Sequence, residues 1–182
     1  MAITFHPDGS ITGAKMHQTG MVLQVVEAKI TSPITLNVPT SWGDVSGLAV
    51  TISPTLSNSR ILLTGMINHS YVDQHIGARV VRVIGGSQTI PTGWLGDGSG
   101  SITQTLTGNW GFSTEANDGN EPLNINIIDT DHNTTSAITY KFQMYEYSSS
   151  SQEAHFNRSH NDTNAAYSYR GVSTLIATEI AA

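Results

Sequence analysis

The stretch AITYKFQMYEY, residues 137–147, alternates without a break: Ile138, Tyr140, Phe142 and Met144 fall on one side, Thr139, Lys141, Gln143, Tyr145 and Tyr147 on the other. A period of two sustained over this length fits a half-buried strand and no helix, because a helix returns a residue to the same face every 3.6 positions. The same pattern recurs in ITLNV (Ile34, Leu36, Val38 against Thr35, Asn37), in LAVTI (Leu48, Val50, Ile52) and in LNINII (Leu123, Ile125, Ile127). From Met21 onward such stretches are short and are separated by Gly, Pro, Asn, Asp and Ser clusters, the punctuation of strands joined by turns. The pattern predicts an all-β fold, an antiparallel β-sandwich or jelly roll of roughly eight to ten strands.

Two stretches depart from simple alternation. RILLTGMIN (60–68) is apolar on both faces, which suits a strand in the middle of a sandwich or at a subunit contact, and its Gly65 marks a bulge or a close backbone approach. ARVVRVI (78–84) places Arg79 and Arg82 on opposite faces, so one arginine must lie near each. The serine run SSSSQ (148–152) has strand material on both sides and reads as a loop within one domain. The 182 residues fit a single domain with an appendage. Residues 1–20 hold only isolated apolar side chains (Ile3, Phe5, Ile11, Met16) around a Pro-Asp-Gly turn, too few for a core, and are expected to be an N-terminal attachment arm. Residues 21–182 are expected to be the sandwich domain.

Composition narrows function by exclusion. Eight basic residues against fourteen acidic ones give a net charge of -6, and the basic ones are scattered, so no nucleic-acid footprint forms. There is no cysteine, hence no disulfide framework, thiolate metal site or cysteine nucleophile. The longest apolar runs fall far short of a membrane span, and MAITFHPDGS lacks the charged and apolar regions of a signal peptide. Charged residues make up only 12% of the chain, so Ser, Thr, Asn and Gly must supply the polar surface.

Candidate chemistry is sparse. The densest acid/His patches, DTDH (Asp129, Asp131, His132) and HFNRSHND (His155, His160, Asp162), are the places where a divalent ion would sit, but neither has recognised ligand spacing, and both read as polar turns. Glu115, Asp118, Glu121 and Asp129 offer no pair that sequence brings to hydrolase spacing. GWLGDGSGS lacks the lysine and following helix of a phosphate loop. Asn-x-Ser/Thr triplets begin at Asn68, Asn133, Asn157 and Asn161. Trp42, Trp94 and Trp110, with Tyr145, Tyr147, Tyr167 and Tyr169, could form a platform for sugar rings, with Trp94 and Trp110 as the glycan contacts; half-buried packing is the plainer reading. No catalytic residue, cofactor or metal ligand is assigned, and an enzyme is not expected.

A set of longer stretches carries a resemblance. GMVLQVVEA (20–28), WGDVSGLAVTISPTLSNSRILL (42–63), IIDTDHNTTSAITYKFQ (127–143), FNRS (156–159) and STLIATEIAA (173–182), in this order, resemble a family of tailed-bacteriophage virion proteins of the marine and cyanobacterial phage type, over roughly residues 20–182. The resemblance implies a jelly-roll domain assembled as a homotrimer, serving as a capsid decoration, cement or head-fibre protein on the virion exterior, with the major capsid protein as partner and no catalytic residues. The alternative within the same resemblance is a tail- or head-fibre module that recognises a host surface glycan. On this reading Ile3, Phe5 and Ile11 would attach to the capsid, and Leu175, Ile176 and Ile180 of the final strand would lie at the subunit interface.

Overall fold

The computed structural model describes residues 4–5, 7, 11–12, 18–38, 40–70, 75–110, 119–147, 152–166 and 168–182, and all regular structure among them is β-strand. In chain order the strands are β1 (Thr4–Phe5), β2 (Ile11–Thr12), β3 (Val22–Ile30), β4 (Ile34–Val38), β5 (Gly43–Ile52), β6 (Arg60–Ser70), β7 (His75–Ile84), β8 (Ser87–Thr89), β9 (Thr107–Trp110), β10 (Glu121–Asp129), β11 (Ile138–Tyr147), β12 (Gln152–Phe156) and β13 (Ser173–Ile180). Among the described residues β1 and β2 pair with each other, Phe5 opposite Ile11. The other strands form two antiparallel sheets of six and five strands. Strand count slightly exceeds the expectation because the edge of β7 is covered by two short pieces, β8 against Arg82–Ile84 and β9 against His75–Ala78.

In the first sheet β6 is central. β10 runs along one side of it, while β13 pairs with Arg60–Met66 on the other and β12 takes over at His69 and Ser70. β13 in turn pairs with β3, and β12 with β4. The second sheet has the order β5-β11-β7, with β8 and β9 beyond. The long strands therefore run β3-β13-β6-β10 in one layer and β5-β11-β7-β8/β9 in the other, with the last strand seated between the first and the middle ones. That connectivity, which repeatedly crosses from sheet to sheet, is a jelly roll.

Alternation fills the space between the layers. Ile61, Leu63 and Ile67 of β6, Leu123 and Ile125 of β10, and Leu175 and Ala177 of β13 meet Leu48, Val50 and Ile52 of β5, Val80 of β7, and Ile138, Tyr140, Phe142 and Met144 of β11. Each fully buried large side chain of this kind contributes roughly 1.5–3 kcal/mol. The both-faces-apolar stretch is indeed the middle strand, and its Gly65 marks a close approach: a Cβ there would stand 2.6 Å from the Thr174 carbonyl oxygen of β13.

Arg79 and Arg82 separate as their spacing requires. Arg82 points between the sheets onto Asp129, and Arg79 points outward onto Trp42. The serine run falls at residues 148–151, outside the described residues.

Candidate functional site

Three polar knots lie inside the sandwich, built from residues that read as turns or chain ends in the sequence. In the first, the Arg82 guanidinium donates to Asp129 at 2.8 Å and to Asp131 at 2.6 Å, and the Tyr140 hydroxyl donates to the other Asp129 oxygen at 2.8 Å. Asp129 is fully buried, so the knot ties β7, β10 and β11 across the core. The Tyr140 hydroxyl is held far above its ordinary pKa, by burial first and by the Asp129 charge second. Next to it the His132 ring donates Nε2–H to the Ser59 carbonyl at 2.8 Å. DTDH is thus an inter-sheet ion cluster with its own cation, and the polar-turn reading is corrected: the alternating strand β10 carries Asp129 inward. Among the described residues no group of three or more acidic or histidine side chains is arranged to hold a metal ion.

The second knot centres on Asn157, which is buried with φ of 60°, a left-handed conformation that asparagine tolerates. Its amide donates to the Ile30 carbonyl at 2.8 Å, its oxygen accepts from Ser173 at 2.7 Å, and its backbone N–H donates to the Asn68 carbonyl at 3.0 Å. Asn157 is thus committed to the junction of β3, β6, β12 and β13 in the folded chain. Beside it the His155 and His160 rings lie 4.6 Å apart, and Arg158 donates to His155 Nδ1 at 2.7 Å. Burial, together with the Arg158 charge, holds His155 down at about 4. The ring nitrogen facing a guanidinium is thus kept neutral.

Glu179 forms the third. Its carboxylate is buried and accepts from the backbone N–H groups of Thr55 and Leu56 at 2.8 and 3.1 Å and from the Gln24 amide at 2.6 Å. Burial pushes its pKa up, but the Gln24 amide, the loop amides and Ser59 together outweigh that and hold it at about 2.

The surfaces are more informative for function than the interior. On the outer face of the first sheet, register aligns Val25, Thr178, Leu62 and Ile128 in one row across β3, β13, β6 and β10. Val22 and Ile180 lie beyond one end of it and Met66 two rows away; Val22, Val25, Met66 and Ile128 are each at least 40% exposed. Leu175 does not join this face. It points into its own core with no exposed surface, because β13 is an interior strand and only its even-numbered residues face outward.

On the outer face of the second sheet, polar contacts form a chain. Lys141 donates to Asp44 at 2.8 Å, Gln143 donates to Asp44 at 2.7 Å, and Arg79 donates to Gln143 at 2.8 Å. The Arg79 guanidinium then lies 4.1 Å above the Trp42 ring, and Trp42 packs on Tyr145 with centroids 5.5 Å apart. At the end of this chain is a cleft of about 330 Å³, lined by His75, Tyr145, Tyr147, Ser101, Thr103 and Thr105 among others. Within its lining Thr105 approaches Gly77 closely, where a Cβ would stand 2.6 Å from Thr105 Cγ2.

The aromatics grouped in the sequence separate in the structure. Trp94 is 5% exposed, donates its indole N–H to the Ile128 carbonyl at 3.3 Å and stacks on Tyr140, so it belongs to the core. The side chain of Trp110 lies outside the described residues, as do Ile3 and the side chains of Phe5 and Ile11. The signal for the surface aromatic cluster was the outward set Tyr145 and Tyr147, but nothing in the sequence places Trp42 beside it.

No family model matches the chain, and no curated protein matches it. Solved structures to which it is similar include VP2 of infectious bursal disease virus as a subviral particle, at 12% identity and a TM-score of 0.48 over all of this chain and 37% of that one. VP2 of the same virus in derived T=1 particles, at 15% identity and 0.44, and the Gx strain structure, at 13% and 0.44, are each covered over 41%. The chain spans about two-fifths of the length of these proteins.

Proposed function

We propose that this chain is a non-enzymatic virion structural protein, a homotrimeric jelly roll that decorates and cements a phage capsid. The observation that carries the reading is the outer face of the first sheet. The apolar side chains of Val25, Leu62 and Ile128, in one row interrupted by Thr178, with exposed Val22 and Met66 nearby, lie on a sheet whose other face already fills the core, and a monomer leaves such a surface to water only at a cost. Its rim carries Glu27 and Lys29 on β3 and Arg60 on β6, so a second copy brings opposite charges as well as apolar area. The sequence resemblance supplies the setting, a phage particle, and the threefold state. In this reading residues 1–20 are the attachment arm, with Ile3, Phe5 and Ile11 as apolar anchors that gain their partners only on the assembled lattice, where many weak contacts act together.

The test is the copy number of the protein in purified virions, by quantitative mass spectrometry against the major capsid protein. A number comparable to that of the capsid protein is expected. Absence from the particle overturns the proposal, and a count hundreds of times lower moves the protein to a fibre or a unique vertex. Deleting residues 2–18 is expected to abolish particle binding while light scattering still finds the trimer.

A further inference from the structure

The cleft on the outer face of the second sheet has a chemistry that assembly does not require. We propose that it binds a neutral oligosaccharide, with Tyr145 and Tyr147 as stacking platforms for successive sugar rings and the hydroxyls of Ser101 and Thr103, with His75, as polar contacts. The inference rests on this cleft alone and stands whether or not the protein is part of a virion.

Four observations point to that ligand class. Tyr145 and Tyr147 lie two residues apart on one face of β11, which spaces their rings by about 7 Å along the strand. Tyr147 is 71% exposed, whereas Tyr145 is fixed from behind by Trp42, which is itself held by Arg79. One platform is rigid and the other open, an arrangement suited to the apolar face of a pyranose ring, whose C–H groups meet an aromatic face while its edge carries hydroxyls. Ser101 and Thr103 also line the cleft, and a hydroxyl both donates and accepts, as hydroxyl-rich ligands need. Among the described residues the lining carries no carboxylate, lysine or arginine, and the nearby cation, Arg79, is engaged by Gln143 and Trp42, which suits a neutral ligand. At about 330 Å³ its volume lies at the small end of ligand sites, enough for a short saccharide segment and not for a folded partner.

Two platforms in line imply that linked sugars bind better than single ones. The experiment is isothermal titration of the full-length protein with maltohexaose, cellohexaose, laminarihexaose, mannohexaose and chitohexaose, and with their monosaccharides. At least one hexasaccharide is expected to bind ten or more times tighter than its monosaccharide. Tyr147→Ala, at an exposed position that leaves folding intact, is expected to weaken that binding at least tenfold. Trp42→Ala is expected to weaken it less, since Trp42 positions Tyr145 and does not line the cleft. Absence of binding to every probe overturns the proposal, as does unchanged affinity in Tyr147→Ala. A third overturning result is a change of oligomeric state in Tyr147→Ala by light scattering, which would make this face a subunit contact. None of these results alters the particle copy number that tests the virion reading.

Discussion

At the scale of single residues, two buried ionisable groups set how stability depends on pH, in separate windows. Glu179 is held at about 2 against an ordinary 4.5, so its contribution is fully present above pH 4.5 and is lost as pH falls toward 2. The gap corresponds to about 3 kcal/mol, as an order of magnitude. Glu179→Gln is expected to lower unfolding free energy by about 2–4 kcal/mol at pH 7 and to flatten the urea midpoint between pH 4.5 and 2. An unchanged profile would show that the loop amides of Thr55 and Leu56 do not recognise the charge. His69 works in the opposite sense. It is 1% exposed at the end of β6, neither ring nitrogen has a hydrogen-bond partner among the described residues, and burial lowers its pKa to about 4. The unfolded chain takes up this proton first, so stability falls as pH drops from 6.5 toward 4. His69→Leu is expected to stabilise the protein by about 1–2 kcal/mol at pH 7, since an unpaired buried polar ring is exchanged for an apolar one. Urea titrations at pH 7 and pH 5 should show a larger gain at the lower pH.

At the scale of elements, the tightest constraint is the approach of β6 and β13. Gly65→Ala places a methyl carbon 2.6 Å from the Thr174 carbonyl oxygen, which can be relieved only by moving backbone in one of the two most central strands. A loss of about 1–3 kcal/mol in chemical unfolding is expected, the range typical of overpacking. The sequence showed Gly65 to be special but not why, since glycine in an apolar run fits a bulge as well as a close contact. Strand identity was legible wherever alternation was clean, as in β5, β10 and β11. β8 was not legible as a separate strand, because a piece of three residues takes its conformation from the edge of β7 and carries no periodicity of its own. The aromatics divide in the same way: Tyr145 and Tyr147 were assigned to a face by alternation, whereas Trp94 sits in irregular chain, where no period says which way a side chain points.

At the scale of the whole molecule, the two outer faces are chemically different, one apolar in the middle of its sheet and the other a polar chain ending in an aromatic cleft. The proposed assembly uses the first face and the proposed ligand the second. Replacing Val25 and Ile128 together by Glu removes two apolar members of one cross-strand row without touching the core, because both side chains point outward. The double variant is expected to keep its thermal transition and to become monomeric at micromolar concentration by light scattering. A variant that remains associated would direct attention to another face.

The amino-acid sequence alone determined the fold class, the inward and outward sets of the long strands and the separation of Arg79 from Arg82, because side-chain direction in a strand follows from position by a period of two. Only the tertiary structure decided that β13 lies inside the sheet with Leu175 in the core, and that Asp129, Asn157 and Glu179 are buried knots. It also decided that Trp42 meets Tyr145 and Arg79. These depend on which strands become neighbours. Partners such as Glu179 and Thr55, or Arg82 and Asp129, are brought together by sheet order and register, which local patterning does not encode.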